Sequence, residues 1–142
     1  MKQNQKTVLV FGVFDLFHKG HEYFLQQAKR HGDKLVVIVA RDINVQKNKF
    51  TKPHDDEQAR MKQVQQCGAV NEVRLGYEDW SNRWKVLKDI RPDVICMGYD
   101  QQFTLPRGSW TTYRIDAFLP KKYKTTQIKK GVRLISTHER LT

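Results

Sequence analysis

The stretch Thr7-Val8-Leu9-Val10-Phe11-Gly12-Val13-Phe14-Asp15-Leu16-Phe17-His18-Lys19-Gly20-His21 sets the reading of the whole chain. Thr7 to Phe11 is a short β-branched and apolar run stopped at Gly12. From His21 to His31, the residues Tyr23 or Phe24, Leu25 and Ala28 fall on one helical stripe. The pattern predicts strand, turn, helix. Ligands of open α/β sheets bind at the carboxyl ends of the strands, so the turn is where a site belongs. His18 and His21 stand three apart at the predicted helix N-terminus. Two imidazoles and several unsatisfied backbone N–H groups converge there on one spot that favours an anion. Gly20 between them leaves room for a phosphate to approach the backbone. No Cys, Asp or Glu stands at ligand spacing beside the histidines, which argues against zinc.

Outward from this stretch the alternation continues. Lys34 to Ala40 is apolar after its lysine, as expected of a strand covered on both faces. Arg41 to Asp56 is polar, carries Lys47, Lys49 and Lys52, and reads as a long loop of functional type. Asp56 can cap a helix from Glu57 to Cys67, with Gly68 ending it, before a brief strand at Glu72 to Leu75. Trp80, Trp84, Leu87 and Ile90 recur at helical intervals up to Pro92, so both tryptophans are expected in the core. Asp93 to Met97 is the next buried strand and Tyr113 to Phe118 the last strand candidate, while Gln101 to Thr112 sustains no helix. Strands alternating with helices predict an α/β fold with an open parallel sheet.

The composition agrees with one folded domain over residues 1–142. Its 39% apolar and 11% aromatic residues lie well away from disordered chains. No apolar run approaches the length of a membrane span and the amino-terminal apolar run is too short for a signal peptide, so a cytoplasmic location is expected. Cys67 and Cys96 lack C-x-x-C spacing and read as reduced and buried. The formal charge of +11 calls for a phosphate-bearing partner, and from Arg107 onward nine Lys or Arg face two acids. A nucleic-acid-binding domain is therefore the competing class, although no helix-turn-helix, RNA-recognition or zinc-finger pattern is present.

G-V-F-D-L-F-H-K-G-H, residues 12–21, resembles the G-x-F-D-x-x-H-x-G-H signature of the cytidylyltransferase-like nucleotidyltransferases, and the resemblance covers nearly the whole chain. Leu16 and His18 point to the glycerol-3-phosphate cytidylyltransferase and archaeal FAD synthase branches. Val39-Ala40-Arg41-Asp42-Ile43-Asn44-Val45 and Pro92-Asp93-Val94-Ile95-Cys96-Met97-Gly98-Tyr99-Asp100-Gln101-Gln102-Phe103 look like the V-A-R-D and G-Y-D-Q-x-F segments of archaeal FAD synthases. The resemblance implies a single Rossmann-like open parallel sheet with helices on both faces, completed by the basic segment 120–142. It implies transfer of a nucleoside monophosphate from a triphosphate to a phosphate-bearing acceptor: ATP with FMN, or alternatively CTP with glycerol 3-phosphate. Mg²⁺ would enter on the triphosphate, and relatives are often homodimers.

The same resemblance assigns roles. His18, His21, Lys47 and Lys129 would carry the catalysis. Gly12, Val13, Phe14, Asp15, Gly20, Arg60, Gly98, Asp100, Thr125 and Thr126 would bind the nucleotide, with Lys47, Lys49 and Arg60 on the β- and γ-phosphates. The late Ser/Thr-rich signature matches Thr125-Thr126-Gln127-Ile128-Lys129 or, nearer the end, Ser136-Thr137-His138-Glu139-Arg140; its position after the last strand favours the first. Either could equally be a plain helix cap.

Overall fold

The computed structural model describes residues 5–49, 51–118 and 132–137. Strands β1 (Thr7–Gly12), β2 (Lys34–Val39), β3 (Glu72–Leu75), β4 (Val94–Gly98), β5 (Thr111–Ile115) and β6 (Val132–Thr137) form one sheet in the order β3-β2-β1-β4-β5-β6. The first five are mutually parallel. Between them run helices α1 (Lys19–Lys29), α2 (Asp42–Lys49) and α3 (Glu57–Gln65), then a 3-10 turn (Trp80–Lys85) leading into α4 (Val86–Ile90).

Alternation along β1 builds the two apolar layers. Val8 and Val10 face one side with Tyr23, Leu25 and Ala28 of α1 and Val64 of α3. Leu9 faces the other, with Val86 and Leu87 of α4, Leu105 and Trp110. Because β1 and β2 are buried on both faces, they carry continuous apolar runs rather than an alternating pattern. From β1 the chain winds outward through β2 and β3, then returns to lay β4 on the other side of β1. The order reverses between β1 and β4, so a crevice opens at their carboxyl ends, Gly12 and Gly98. Among the described residues no helix is long and apolar enough to cross a membrane.

Four features depart from the sequence expectations. The polar stretch after Arg41 is not a loop throughout: Asp42–Lys49 is helical. Among its described side chains this helix buries only Asn44 and Val45, and it is fastened by polar bonds, so it leaves no apolar period to read. The Trp80 helix starts as a 3-10 turn, and Trp80 is 44% exposed rather than core. The sheet is not wholly parallel, since β6 runs antiparallel to β5. Finally, β6 lies where only a basic tail is expected from the sequence, and Ser136 and Thr137 belong to this strand, not to a helix start. The connection from β4 to β5 is helix-free, as expected.

Candidate active site at the carboxyl ends of the central strands

A cleft of about 790 Å³ occupies the crevice beyond β1 and β4. Gly12, Val13, Phe14, Asp15, His18, Gly20, His21, Gly98 and Asp100 all line it. His18 is the N-cap of α1: its Nδ1 accepts from Gly20 N–H at 3.0 Å, while its own N–H donates to Nδ1 of His21 at 3.2 Å. This reciprocal box uses two imidazoles where Ser and Glu are usual. The consequence is chemical. Each Nδ1 accepts a hydrogen bond, so each neutral ring carries its proton on Nε2 and has that N–H left to donate. The rings stack with centroids 3.9 Å apart.

Electrostatics keep the His21 ring in that state. Burial, with the His18 ring beside it, brings the His21 imidazole down to about 4, although Asp15 and Asp100 pull the other way. Gly20 is required by the cap itself: a Cβ there would stand 2.8 Å from Cε1 of His18. Gly12 likewise makes room for the Phe14 ring, which would lie 2.5 Å from its Cβ. Phe14 and Leu16 adopt φ of 56° and 50°, left-handed backbone that non-glycine residues reach only at a cost.

That turn is held from behind. The Asp15 carboxylate accepts from the N–H groups of His54 and Asp55 at 2.7 and 2.9 Å. Burial raises its pKa, but those two bonds, with help from Leu16 and Arg60, outweigh it and leave the carboxyl below its usual value. Arg60 is fully buried, and its three nitrogens donate to Asp55 O, Val13 O and Asp42 Oδ1 at 3.0, 2.8 and 2.5 Å. It therefore does not reach the cleft: the expectation that it grips phosphate is corrected to a clamp on the turn. Lys47 is exposed on α2 and does not line the cleft either. Among the described residues, the lysine that does is Lys52. Thr125, Thr126 and Lys129 lie outside the described residues.

The far wall is legible only in part from the sequence. Gln101 bridges the two central strands, accepting from Gly98 N–H and donating to Phe11 O, both at 2.8 Å. Arg114 of β5 donates to Gly98 O and Gln101 O at 2.8 Å, and so holds the Gly98-Tyr99-Asp100-Gln101 turn from below. Phe11, Trp84 and Phe103 make an aromatic floor, with Trp80 and Arg83 at its rim. Asn44 on α2 fixes that rim, its amide donating to Tyr77 O and Glu78 O at 3.1 and 3.2 Å. Gln101 and Asn44 lie in the two stretches quoted for the resemblance but receive no role from it, and neither Arg114 nor Arg83 stands out in the sequence as a site residue. Their signal is a polar residue placed where a neighbouring backbone turn needs partners, which no sequence period marks.

Known proteins resemble this chain along the same lines. A family model described as cytidylyltransferase-like matches residues 9–139. The curated FAD synthase of Methanosarcina acetivorans is 46% identical over 98 residues, covering 69% of this chain and 62% of that one. That of Methanosarcina barkeri is 48% identical over 96 residues, covering 68% and 66%. The match thus spans a little under two thirds of the length of these relatives. Among solved structures, the lipopolysaccharide core biosynthesis protein from Thermoplasma volcanium aligns with a TM-score of 0.63 at 37% identity, over 70% of this chain and 79% of that one. Pantothenate synthetase from Thermus thermophilus shares the fold alone, with a TM-score of 0.52 at 14% identity, over 89% of this chain and 65% of that one.

Proposed function

The chain belongs to the cytidylyltransferase-like family, and on that premise we propose that it is an FMN adenylyltransferase, an FAD synthase acting on ATP and FMN. The observation that carries this reading is the His18–His21 cap, which turns two Nε2–H donors and a helix N-terminus toward one cleft. Similarity to the Methanosarcina FAD synthases supports FMN as the acceptor and ATP as the donor.

In this reaction an oxygen of the FMN phosphate attacks the α-phosphorus of ATP. The bond from that phosphorus to the oxygen bridging to the β-phosphate breaks, and pyrophosphate leaves. The chain's part is positioning and charge stabilisation, with no covalent intermediate. His18 and His21 donate to phosphate oxygens as negative charge grows on them. The uncapped N–H groups of α1 add to the same field. Lys52 faces the cleft as a cation, and Lys129 with Thr125 and Thr126 holds the triphosphate in this reading. In this reading Mg²⁺ arrives on the phosphate oxygens of ATP, with water completing its shell. Bound there, Mg²⁺ would neutralise triphosphate charge.

The test is pyrophosphate release with Mg²⁺ across ATP or CTP paired with FMN or glycerol 3-phosphate. Release is expected with ATP and FMN. Release only with CTP and glycerol 3-phosphate would move the chain to the cytidylyltransferase branch. Tight polynucleotide binding without any turnover would favour the nucleic-acid reading instead.

A further inference from the structure

One corner of the cleft has no task in the chemistry above. The Arg83 guanidinium carbon lies 4.5 Å from the centroid of the Trp80 ring and 5.4 Å from that of Trp84, and Nη1 donates to Trp80 O at 2.8 Å. All three residues line the cleft. Its other lining arginine, Arg41, is already engaged, donating through Nε to Gly76 O at 2.7 Å and pairing with Glu57 at 3.7 Å. Arg83, by contrast, has no ion pair among the described residues. A guanidinium ordered by aromatic faces keeps its charge and its outer N–H groups for a ligand. Its orientation is set before the ligand arrives, which lowers the ordering cost of binding. Beside it, Trp80 presents a large ring 44% exposed at the cleft rim, on a segment that Asn44 fixes through Tyr77 O and Glu78 O.

The geometry points to Arg83 as the residue that binds the phosphate of the acceptor, with Trp80 as a shelf for a flat apolar part of the same molecule. The assignment rests on the FAD synthase reading, since FMN combines a phosphate monoester with a flat ring system. It divides the cleft into two anion sites. The His18–His21 end takes the triphosphate, and Arg83 takes non-attacking oxygens of the acceptor phosphate, leaving the remaining oxygen free to attack. A planar fork suits two oxygens of one phosphate, which an ammonium does not match.

Flavin fluorescence quenching separates the two roles, with riboflavin as the probe that keeps the ring and lacks the phosphate. The native chain is expected to bind FMN about tenfold or more tightly than riboflavin, the scale of one charge-assisted pair. In Arg83→Gln that ratio should fall toward one, with riboflavin and ATP affinities unchanged. Trp80→Leu should weaken FMN and riboflavin alike and preserve the ratio. An undiminished FMN preference in Arg83→Gln, or a loss of ATP rather than FMN binding, would overturn the assignment while leaving the FAD synthase reading intact. A native chain that binds ATP but neither flavin would overturn both.

Discussion

His21 serves the fold and the chemistry with different atoms of one ring. Its Nδ1 closes the box with His18 N–H, and its Nε2–H is left for a phosphate oxygen. His21→Ala should therefore lower turnover by about 100-fold or more, the scale for losing one preorganised stabilising group, and cost about 1 kcal/mol of stability as a lost cap. Steady-state kinetics and a denaturant titration on the same variant read the two effects separately. The depressed His21 pKa also makes stability depend on pH. With a folded value of about 4 against an ordinary 6.5, the unfolded chain holds more protons between those values. The contribution is complete above about 6.5 and is lost as pH falls toward 4. Stability measured across that window should drop with acid in the native chain, and the drop should shrink in His21→Ala. Gly20→Ala should disturb the same cap through contact with His18 rather than through a bound phosphate, so a disturbed fold in the absence of nucleotide is the expected signature.

The elements divide in the same way between what shows in sequence and what does not. Helices α1 and α3 are readable because Tyr23, Leu25, Ala28 and Val64 repeat on a buried face and Asp56 caps the second. Helix α2 is not, because bonds between Asp42 and the start of α3, not apolar burial, hold it: Asp42 N–H donates to Glu57, and Asp42 receives Glu57 N–H and Arg60. Arg60 misleads for a related reason. A cation near a phosphate motif reads as a phosphate ligand, and only the fold shows its guanidinium committed to Val13 O and Asp55 O. Arg60→Met should cost about 3 kcal/mol or more, because it leaves Asp42 and the carbonyls of the turn without their buried partner. A phosphate ligand on the surface would show instead a raised KM for ATP with unchanged stability. On the opposite face Gly108 lies against Trp110, where an added Cβ would meet the ring at 2.0 Å. Gly108→Ala should lower the denaturation midpoint by the equivalent of about 1–3 kcal/mol, an overpacking cost.

At the scale of the molecule, one topological fact places the site: the sheet reverses its order between β1 and β4, and the H-x-G-H turn leaves the carboxyl end of β1 at that point. The motif and the strand run before it are enough to foresee this half of the cleft. The other half depends on Gln101 and Arg114 tying β1, β4 and β5 together over long sequence separations, and no local pattern encodes such pairings. The antiparallel β6 is hidden because Val132, Leu134 and Ile135 follow a run of lysines (Lys121, Lys122, Lys124, Lys129 and Lys130) that makes the whole segment read as a basic tail. Lys129→Ala is expected to raise the KM for triphosphate more than Arg140→Ala does; the reverse would assign the late signature to the later segment. The most direct test follows the phosphorus itself. With ATP labelled at the α-phosphate and FMN as acceptor, label should appear in FAD while unlabelled pyrophosphate is released, and His21→Ala should suppress the transfer about 100-fold. Label that stays out of the flavin while ATP is bound, or that enters FAD equally fast in His21→Ala, would contradict the account.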